Sequence, residues 1–173
     1  MMVEKVDLVC FTGSVHTGKK VALAASKKLI PVLMEIGAKD PAIVLQGANV
    51  EIAATAILKG STTNAGQNCL SFERVYVHES IHDSLVDLLI EKTKALQLIA
   101  DDQHKGEIGP IIFEKEVLTI NTHLEDARAL GATILIGSNS CEQIHGGFYC
   151  RPTVVVNVTQ NMLLMKEETF GPI

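Results

Sequence analysis

The sequence has 173 residues, 47% of them hydrophobic and 20% charged, a balance typical of a globular chain rather than a disordered one. A net charge of −5 argues against a nucleic-acid partner, and no apolar run reaches the roughly 18 residues that a membrane helix needs. Charges at positions 4, 5 and 7 interrupt any signal-peptide core, so we expect a cytoplasmic protein with neither a membrane nor a nucleic-acid partner.

Strand-like and helix-like stretches alternate along the chain. In chain order the pattern predicts a strand at 6–13, a helix at 17–29, strands at 31–37 and 41–47, a helix from 50 to about 60 or beyond, a strand at 73–79, helices at 81–98 and 114–131, and strands at 132–137 and 148–158. Asn49 is a candidate N-cap, Gly131 a candidate C-cap, and Pro152 marks an edge or a bulge. This alternation predicts an α/β fold with parallel strand pairing.

The four cysteines, at positions 10, 69, 141 and 150, form no CxxC pair. We expect free thiols, which fit a reducing compartment, and a core position for Cys10. Cys141, His145 and Cys150 are potential zinc ligands, but a fourth ligand at standard spacing is missing and we expect no metal site. His104 and His123 are predicted to lie on the surface.

The stretch Phe11-Thr12-Gly13-Ser14, followed by Gly18, joins the first predicted strand to the first predicted helix. The backbone N–H groups of a helix N-terminus favour phosphate, so this turn is a candidate phosphate site. It is neither GxGxxG nor a P-loop, and a plain tight turn is the alternative. His16 nearby is either a cofactor contact or, as we favour, an exposed residue at the helix start.

Two further residues are candidates for acid–base or nucleophilic chemistry. Glu35 stands in the apolar run before Gly37, where a raised pKa would suit a general base; a solvent-facing position on the strand is the alternative. Cys69 follows Gly66, which permits close backbone approach, and nearby peptide N–H groups could hold an oxyanion. The thiolate is the reactive form of cysteine, and a structural cysteine is the alternative.

Taken together, four motifs resemble the aldehyde dehydrogenase superfamily over essentially the whole chain. The order and spacing are those of the family: Phe11-Thr12-Gly13-Ser14 with Gly18; Glu35-Ile36-Gly37 with Lys39 and Pro41; Gly66-Gln67-x-Cys69; and Glu167-Glu168-x-Phe170-Gly171-Pro172. One departure is Ala38, where the family commonly has a second glycine; a methyl there is strained only if the backbone has a positive φ.

The resemblance implies oxidation of a small-molecule aldehyde to a carboxylic acid with NAD or NADP. Cys69 would be the nucleophile and Glu35 the base that activates the hydrolytic water, which favours hydrolysis over transfer to CoA. The remaining family site residues would bind the cofactor: Gly13 and Ser14 at the pyrophosphate, Gly18 as a further cofactor-binding residue, Glu168 at the nicotinamide ribose, and Phe170 beside the nicotinamide.

It also implies the organisation of the chain. Residues 1–37 would be a remnant of a Rossmann-like NAD(P)-binding domain, and residues 38–173 most of a catalytic domain with a mainly parallel sheet flanked by helices. The family's full chain is longer, so parts of the cofactor site and the oxyanion-hole asparagine would be absent. We therefore expect weak activity or none from these residues alone, and self-association through exposed apolar surface. The alternative is a non-catalytic remnant that acts only as a binding or assembly module.

Overall fold

The computed structural model describes residues 5–99, 105–137 and 140–173. The chain forms two compact units, residues 1–38 and residues 39–173. No described helix is both long enough and apolar enough to cross a membrane. The position predicted for His104 lies outside the described residues.

The first unit is a single β-α-β crossover. Strand β1 (Val9–Gly13) runs into helix α1 (Val15–Ser26), and strand β2 (Val32–Ile36) returns parallel to β1. Gly18 lets the helix approach the sheet, because a Cβ there would lie 3.1 Å from Cγ2 of Ile36. The predicted order of strand, helix and strand is confirmed.

The prediction of a core position for Cys10 is wrong. Its side chain is exposed, whereas the flanking Val9 and Phe11 are half-buried. Successive side chains of a strand point to opposite faces, and α1 covers only one face of the two-stranded sheet. His16, at the second position of α1, is exposed as predicted.

The second unit contains the remaining strands and helices. In chain order they are β3 (Asp40–Val44), α2 (Val50–Thr62), β4 (Phe72–Val77), α3 (His82–Ala95), α4 (Glu114–Ala129), β5 (Thr133–Ile136), β6 (Glu142–Ile144), β7 (Gly147–Tyr149), β8 (Val154–Val156) and α5 (Leu163–Lys166). Both predicted caps are confirmed: the Asn49 side chain accepts from the N–H of Ile52 at 3.0 Å, and Gly131 follows the C-cap of α4 with φ +94°.

The strand pairs confirm the α/β class but are of both kinds. β3 and β4 pair in parallel, whereas β5 pairs with β8 and β6 with β7 in antiparallel fashion. His145 and Gly146 both have positive φ, the conformation of a tight two-residue hairpin turn, which sets the β6–β7 pairing. The predicted strand at 148–158 is divided in two, and Pro152, which cannot donate to a ladder, lies in the break.

Two other predictions about the second unit are wrong. His123 is buried, at 3% exposure, because it shares the inward stripe of α4 with Ile120, Leu124 and Ala127. Cys141 and Cys150 are not free thiols but form a disulfide across the β6–β7 hairpin, where their Cα atoms are 4.3 Å apart.

Candidate active site

The loop that carries Cys69 begins with three consecutive residues in the left-handed region. Asn64, Ala65 and Gly66 have φ values of +55°, +56° and +71°, within the short 3-10 segment Thr63–Gly66 that follows α2. A left-handed backbone costs a non-glycine residue roughly 1–2 kcal/mol. Ala65 is held in it by burial at 1% exposure, in the apolar cluster that includes Ile120 and Leu124 of α4. Such strain persists only where the surrounding structure fixes the backbone.

Gln67 fixes that loop to the segment before α4. Its Nε2 donates to the carbonyls of Asn64 at 3.0 Å and of Pro110 at 3.1 Å, and its Oε1 accepts from the N–H of Ile112 at 2.9 Å. The amide is therefore fully engaged while being only 9% exposed. These three bonds tie the buried amide to backbone groups on both sides of the contact between the Cys69 loop and the segment before α4.

Cys69 lies at the tip of a turn with its thiol free. The turn is closed by a hydrogen bond from the N–H of Ser71 to the carbonyl of Asn68 at 3.0 Å, and the Asn68 side chain accepts from the N–H of Leu70. The Cys69 side chain is exposed. Within residues 5–99, 105–137 and 140–173, its backbone N–H makes no hydrogen bond. A thiol and a free N–H at one residue can serve a nucleophile and its oxyanion.

The cysteine loop packs directly on the C-terminal motif. A Cβ on Gly66 would lie only 2.7 Å from the backbone nitrogen of Pro172 and would also overlap Gly171. Gly171 in turn packs closely on Ile120 of α4, because a Cβ on Gly171 would lie 2.8 Å from Cγ1 of Ile120. The structure therefore brings together two motifs that stand about a hundred residues apart in the sequence.

A buried carboxylate holds the loop between Glu168 and Phe170. Glu73 is 3% exposed, and it accepts from the N–H of Thr169 at 2.9 Å and from the N–H of Phe170 at 2.9 Å. Its Oε2 also forms an ion pair with Nζ of Lys39 at 2.5 Å. Phe170 has a φ of +54°, another left-handed non-glycine residue, and it is half-buried.

The hydroxyl of Thr169 is a second anchor of the same loop. It accepts from Nζ of Lys39 at 2.9 Å and lies 3.0 Å from Nδ1 of His123, while Thr169 itself is 1% exposed. Burial lowers the pKa of Lys39, and the Glu73 carboxylate offsets part of that shift. Burial also lowers the pKa of His123, and the Lys39 ammonium lowers it further.

The residues of the first unit fit an anionic ligand at the start of α1. The Ser14 side chain is the N-cap of α1, and the first turn of α1 contains no acidic residue. A Cβ on Gly13 would lie 2.8 Å from the Phe11 ring, so a larger residue at position 13 would crowd that ring. A helix N-terminus without acidic residues in its first turn favours an anion such as a pyrophosphate.

Glu35 is exposed on β2, on the same strand face as the exposed Leu33. In this chain it therefore has the solvent-facing position that was the alternative to an apolar environment. The methyl of Ala38 causes no backbone strain, because the residue does not have a positive φ.

Sequence reasoning missed Glu73 and His123 as part of this region. Glu73 stands at the start of a strand and His123 within a helix, and neither position carries a motif that points to the C-terminal loop. Of the three potential zinc ligands, Cys141 and Cys150 are bonded to each other, and the described residues contain no cluster of three or more metal-ligating side chains.

One cavity of the second unit lies away from the candidate nucleophile. It has a volume of about 510 Å³ and lies among β4, α3 and β8, with Val77, Leu85 and Val154 in its wall. Cys69 is not one of its lining residues. The candidate reaction centre is therefore an exposed loop surface of this chain.

Comparison with known proteins gives a consistent result. The aldehyde dehydrogenase family model matches residues 1–173. The chain is 35% identical to the D-glyceraldehyde dehydrogenase (NADP(+)) of Picrophilus torridus, over 98% of this chain and 35% of that protein. The structure of PutA from Anabaena variabilis, whose name places it among the aldehyde dehydrogenases, is 50% identical with a TM-score of 0.96, over 99% of this chain and 36% of that one.

A betaine aldehyde dehydrogenase from Staphylococcus aureus, solved with NAD+, is 33% identical with a TM-score of 0.90, over 98% of this chain and 34% of that one. The chain spans about a third of the length of the curated relatives that it matches. The family match over every residue and the likeness in fold agree with the four motifs of the sequence. The chain therefore belongs to the aldehyde dehydrogenase family.

Proposed function

We propose that this chain supplies the nucleophile and part of the cofactor site for the NAD(P)-dependent oxidation of an aldehyde to a carboxylic acid. The observation that carries the proposal is the contact of Gly66 with Gly171 and Pro172, which joins the Cys69 loop to the segment of Glu168 and Phe170. The free, exposed thiol of Cys69 supports it as well.

The proposed cofactor contacts are residues of the family motifs. Gly13 and Ser14 would contact the pyrophosphate at the start of α1, with Gly18 as a further cofactor-binding residue of that helix. Glu168 would hold the nicotinamide ribose, and Phe170 would flank the nicotinamide. When bound, NAD(P)+ supplies the acceptor for the hydride that the aldehyde loses. One relative is named as an NADP(+) enzyme and another was solved with NAD+, so the proposal covers both forms.

Cys69 carries the covalent chemistry in this proposal. Its thiolate attacks the aldehyde carbonyl, a C–S bond forms, and the carbonyl electron pair moves to oxygen, where the unbonded N–H of Cys69 stabilises it. Loss of the aldehyde hydrogen as hydride restores the C=O bond and leaves a thioester. Glu35 then accepts a proton from a water that attacks the thioester, and the thiolate of Cys69 leaves as the carboxylic acid forms.

The domain bounds and the cellular compartment are part of the same proposal. Residues 1–37 are assigned to the cofactor-binding domain, and residues 38–173 to the catalytic domain of a cytoplasmic enzyme.

Large apolar side chains are exposed, such as Leu33 at 57% and Ile43 at 68%, which supports the expected self-association. Sedimentation at several protein concentrations tests it, and a constant monomer mass would refute it.

The test of the function uses the two free cysteines as a matched pair. Formation of NAD(P)H is followed by absorbance with a panel of small aldehydes, for the unmodified protein and for Cys69→Ser and Cys10→Ser. We expect any turnover of the unmodified protein to be weak, to be abolished in Cys69→Ser and to be retained in Cys10→Ser, because both thiols are exposed but only Cys69 lies in the candidate site. Turnover that survives Cys69→Ser would refute the nucleophile, and no turnover or cofactor binding at all would favour the non-catalytic module.

A further inference from the structure

We propose that Glu73 is a positioning residue for the cofactor: its carboxylate, with the Lys39 ammonium, holds the Glu168–Phe170 segment in the conformation that binds the nicotinamide half. The inference rests on the proposed function of Glu168 and Phe170. It adds a residue that neither touches the reacting atoms nor belongs to any of the four motifs.

The first argument is the number and kind of bonds that one carboxylate makes. Both oxygens of Glu73 face the backbone of the segment, at 2.9 and 3.1 Å from the nitrogen of Thr169 and at 2.9 Å from that of Phe170. Hydrogen bonds to an ionised acceptor are stronger than those between neutral groups. The Lys39 ammonium, 2.5 Å away, balances the charge at this buried position.

The second argument is the backbone of Phe170. Its φ of +54° is unfavourable for an aromatic residue and persists only where the surroundings enforce it. The N–H of Phe170 itself donates to Glu73. Without that acceptor, Phe170 has no described hydrogen bond to hold it in the left-handed region, and a return to negative φ would redirect its side chain.

The third argument is the burial of Thr169, the residue between the two proposed cofactor contacts. At 1% exposure it cannot touch a bound dinucleotide, so anything that Thr169 does for the cofactor acts through its neighbours. Its hydroxyl is fastened by Lys39 at 2.9 Å and by His123 at 3.0 Å. The clamp therefore consists of Glu73 on the backbone of the segment, and Lys39 with His123 on its central side chain.

The test measures cofactor affinity in Glu73→Gln, which keeps the shape of the side chain but removes the charge. The chain has no tryptophan, so NADH and NADPH can be titrated by their own fluorescence without interference from protein. We expect the dissociation constant to rise at least tenfold, and Glu73→Asp, which keeps the carboxylate, to give a smaller rise. Glu51→Gln is the matched control, because it breaks an exposed ion pair with Lys92 that has the same 2.5 Å separation, and it should change the constant less than twofold.

Thr169→Val removes one hydroxyl at nearly constant volume and provides a second variant if Glu73→Gln does not fold. It should weaken cofactor binding at least threefold, while the KM for the aldehyde stays within twofold of the unmodified value. A purely structural role would lower the melting temperature of these variants and leave the affinity of the folded protein unchanged.

The outcomes separate this inference from the proposed function. If the unmodified protein binds neither NADH nor NADPH, the proposed function fails and the inference fails with it. If the unmodified protein binds the cofactor and folded Glu73→Gln or Thr169→Val binds it equally well, the positioning role alone is overturned.

Discussion

Replacing Gly66 by alanine perturbs the contact that joins the Cys69 loop to the C-terminal segment. Gly66 has a φ of +71°, and a Cβ there would lie 2.7 Å from the nitrogen of Pro172. The left-handed backbone alone costs an alanine roughly 1–2 kcal/mol. Forcing a methyl group into a packed site adds about 1–3 kcal/mol. We therefore expect Gly66→Ala to lower the free energy of unfolding by about 2–5 kcal/mol.

Gly47→Ala is the matched control for the backbone term. Gly47 has a φ of +86°, close to that of Gly66, but a Cβ there would have no atom within 4 Å. Its expected cost is the backbone term of roughly 1–2 kcal/mol. The difference between the two variants isolates the contact with Gly171 and Pro172.

Urea unfolding followed by far-ultraviolet circular dichroism measures both variants, since the chain has no tryptophan for fluorescence. The rate of Cys69 alkylation, measured with Cys10 replaced by serine, reports on the loop. We expect it to change in Gly66→Ala and to stay constant in Gly47→Ala. Equal destabilisation by the two substitutions, with equal alkylation rates, would show that the loop does not rest on the C-terminal segment.

Three further predictions concern the buried amide, the buried histidine and the thiols. Gln67→Leu removes the three hydrogen bonds of a buried side-chain amide and should cost about 2–4 kcal/mol in urea unfolding, against about 0.5 kcal/mol or less for the exposed Gln46→Leu; equal costs would contradict these hydrogen bonds. The pKa of His123 is lowered from its usual value near 6.5 by burial and by Lys39, so below about pH 6.5 the unfolded chain takes up a proton before the folded one. Stability should fall there by up to about 1.4 kcal/mol per pH unit between pH 7 and 5, and a slope that survives in His123→Gln would exclude this histidine as its source. A thiol reagent should titrate two groups per chain without reductant and four after reduction and unfolding, with one fewer in each case for Cys69→Ser; four groups without reductant would contradict the disulfide.

Local patterns in the sequence predicted the elements and the family. The helix at 81–98 was predicted from apolar spacing, and the structure buries Leu85 and Leu89 of α3 in one cluster. Asn49 and Gly131 were predicted as caps from residue type alone, because capping depends on a few neighbouring residues. Periodicity and capping are local properties, which is why they can be read without the tertiary structure.

The wrong predictions concern side chains whose exposure or pairing depends on which helix or strand packs against them. Cys10 alternates correctly with its neighbours, but α1 packs on the other face of the sheet, so its side chain remains exposed. His123 lies on the apolar stripe of α4, and the hydroxyl of Thr169 gives its buried ring a hydrogen-bond partner that the sequence pattern did not predict. The pairing of Cys141 with Cys150 depends on the register of a short hairpin that the sequence pattern did not predict.

The sequence by itself determined the family, through a cysteine after Gly66-Gln67, a glutamate before Gly37, and the motif from Glu167 to Pro172. Only the tertiary structure decided how these pieces are held. Glu73 reaches a backbone 96 positions away along the chain, and Gln67 a carbonyl 43 positions away. Contacts of that separation depend on how helices and strands pack, and a pattern of neighbouring residues contains no record of them.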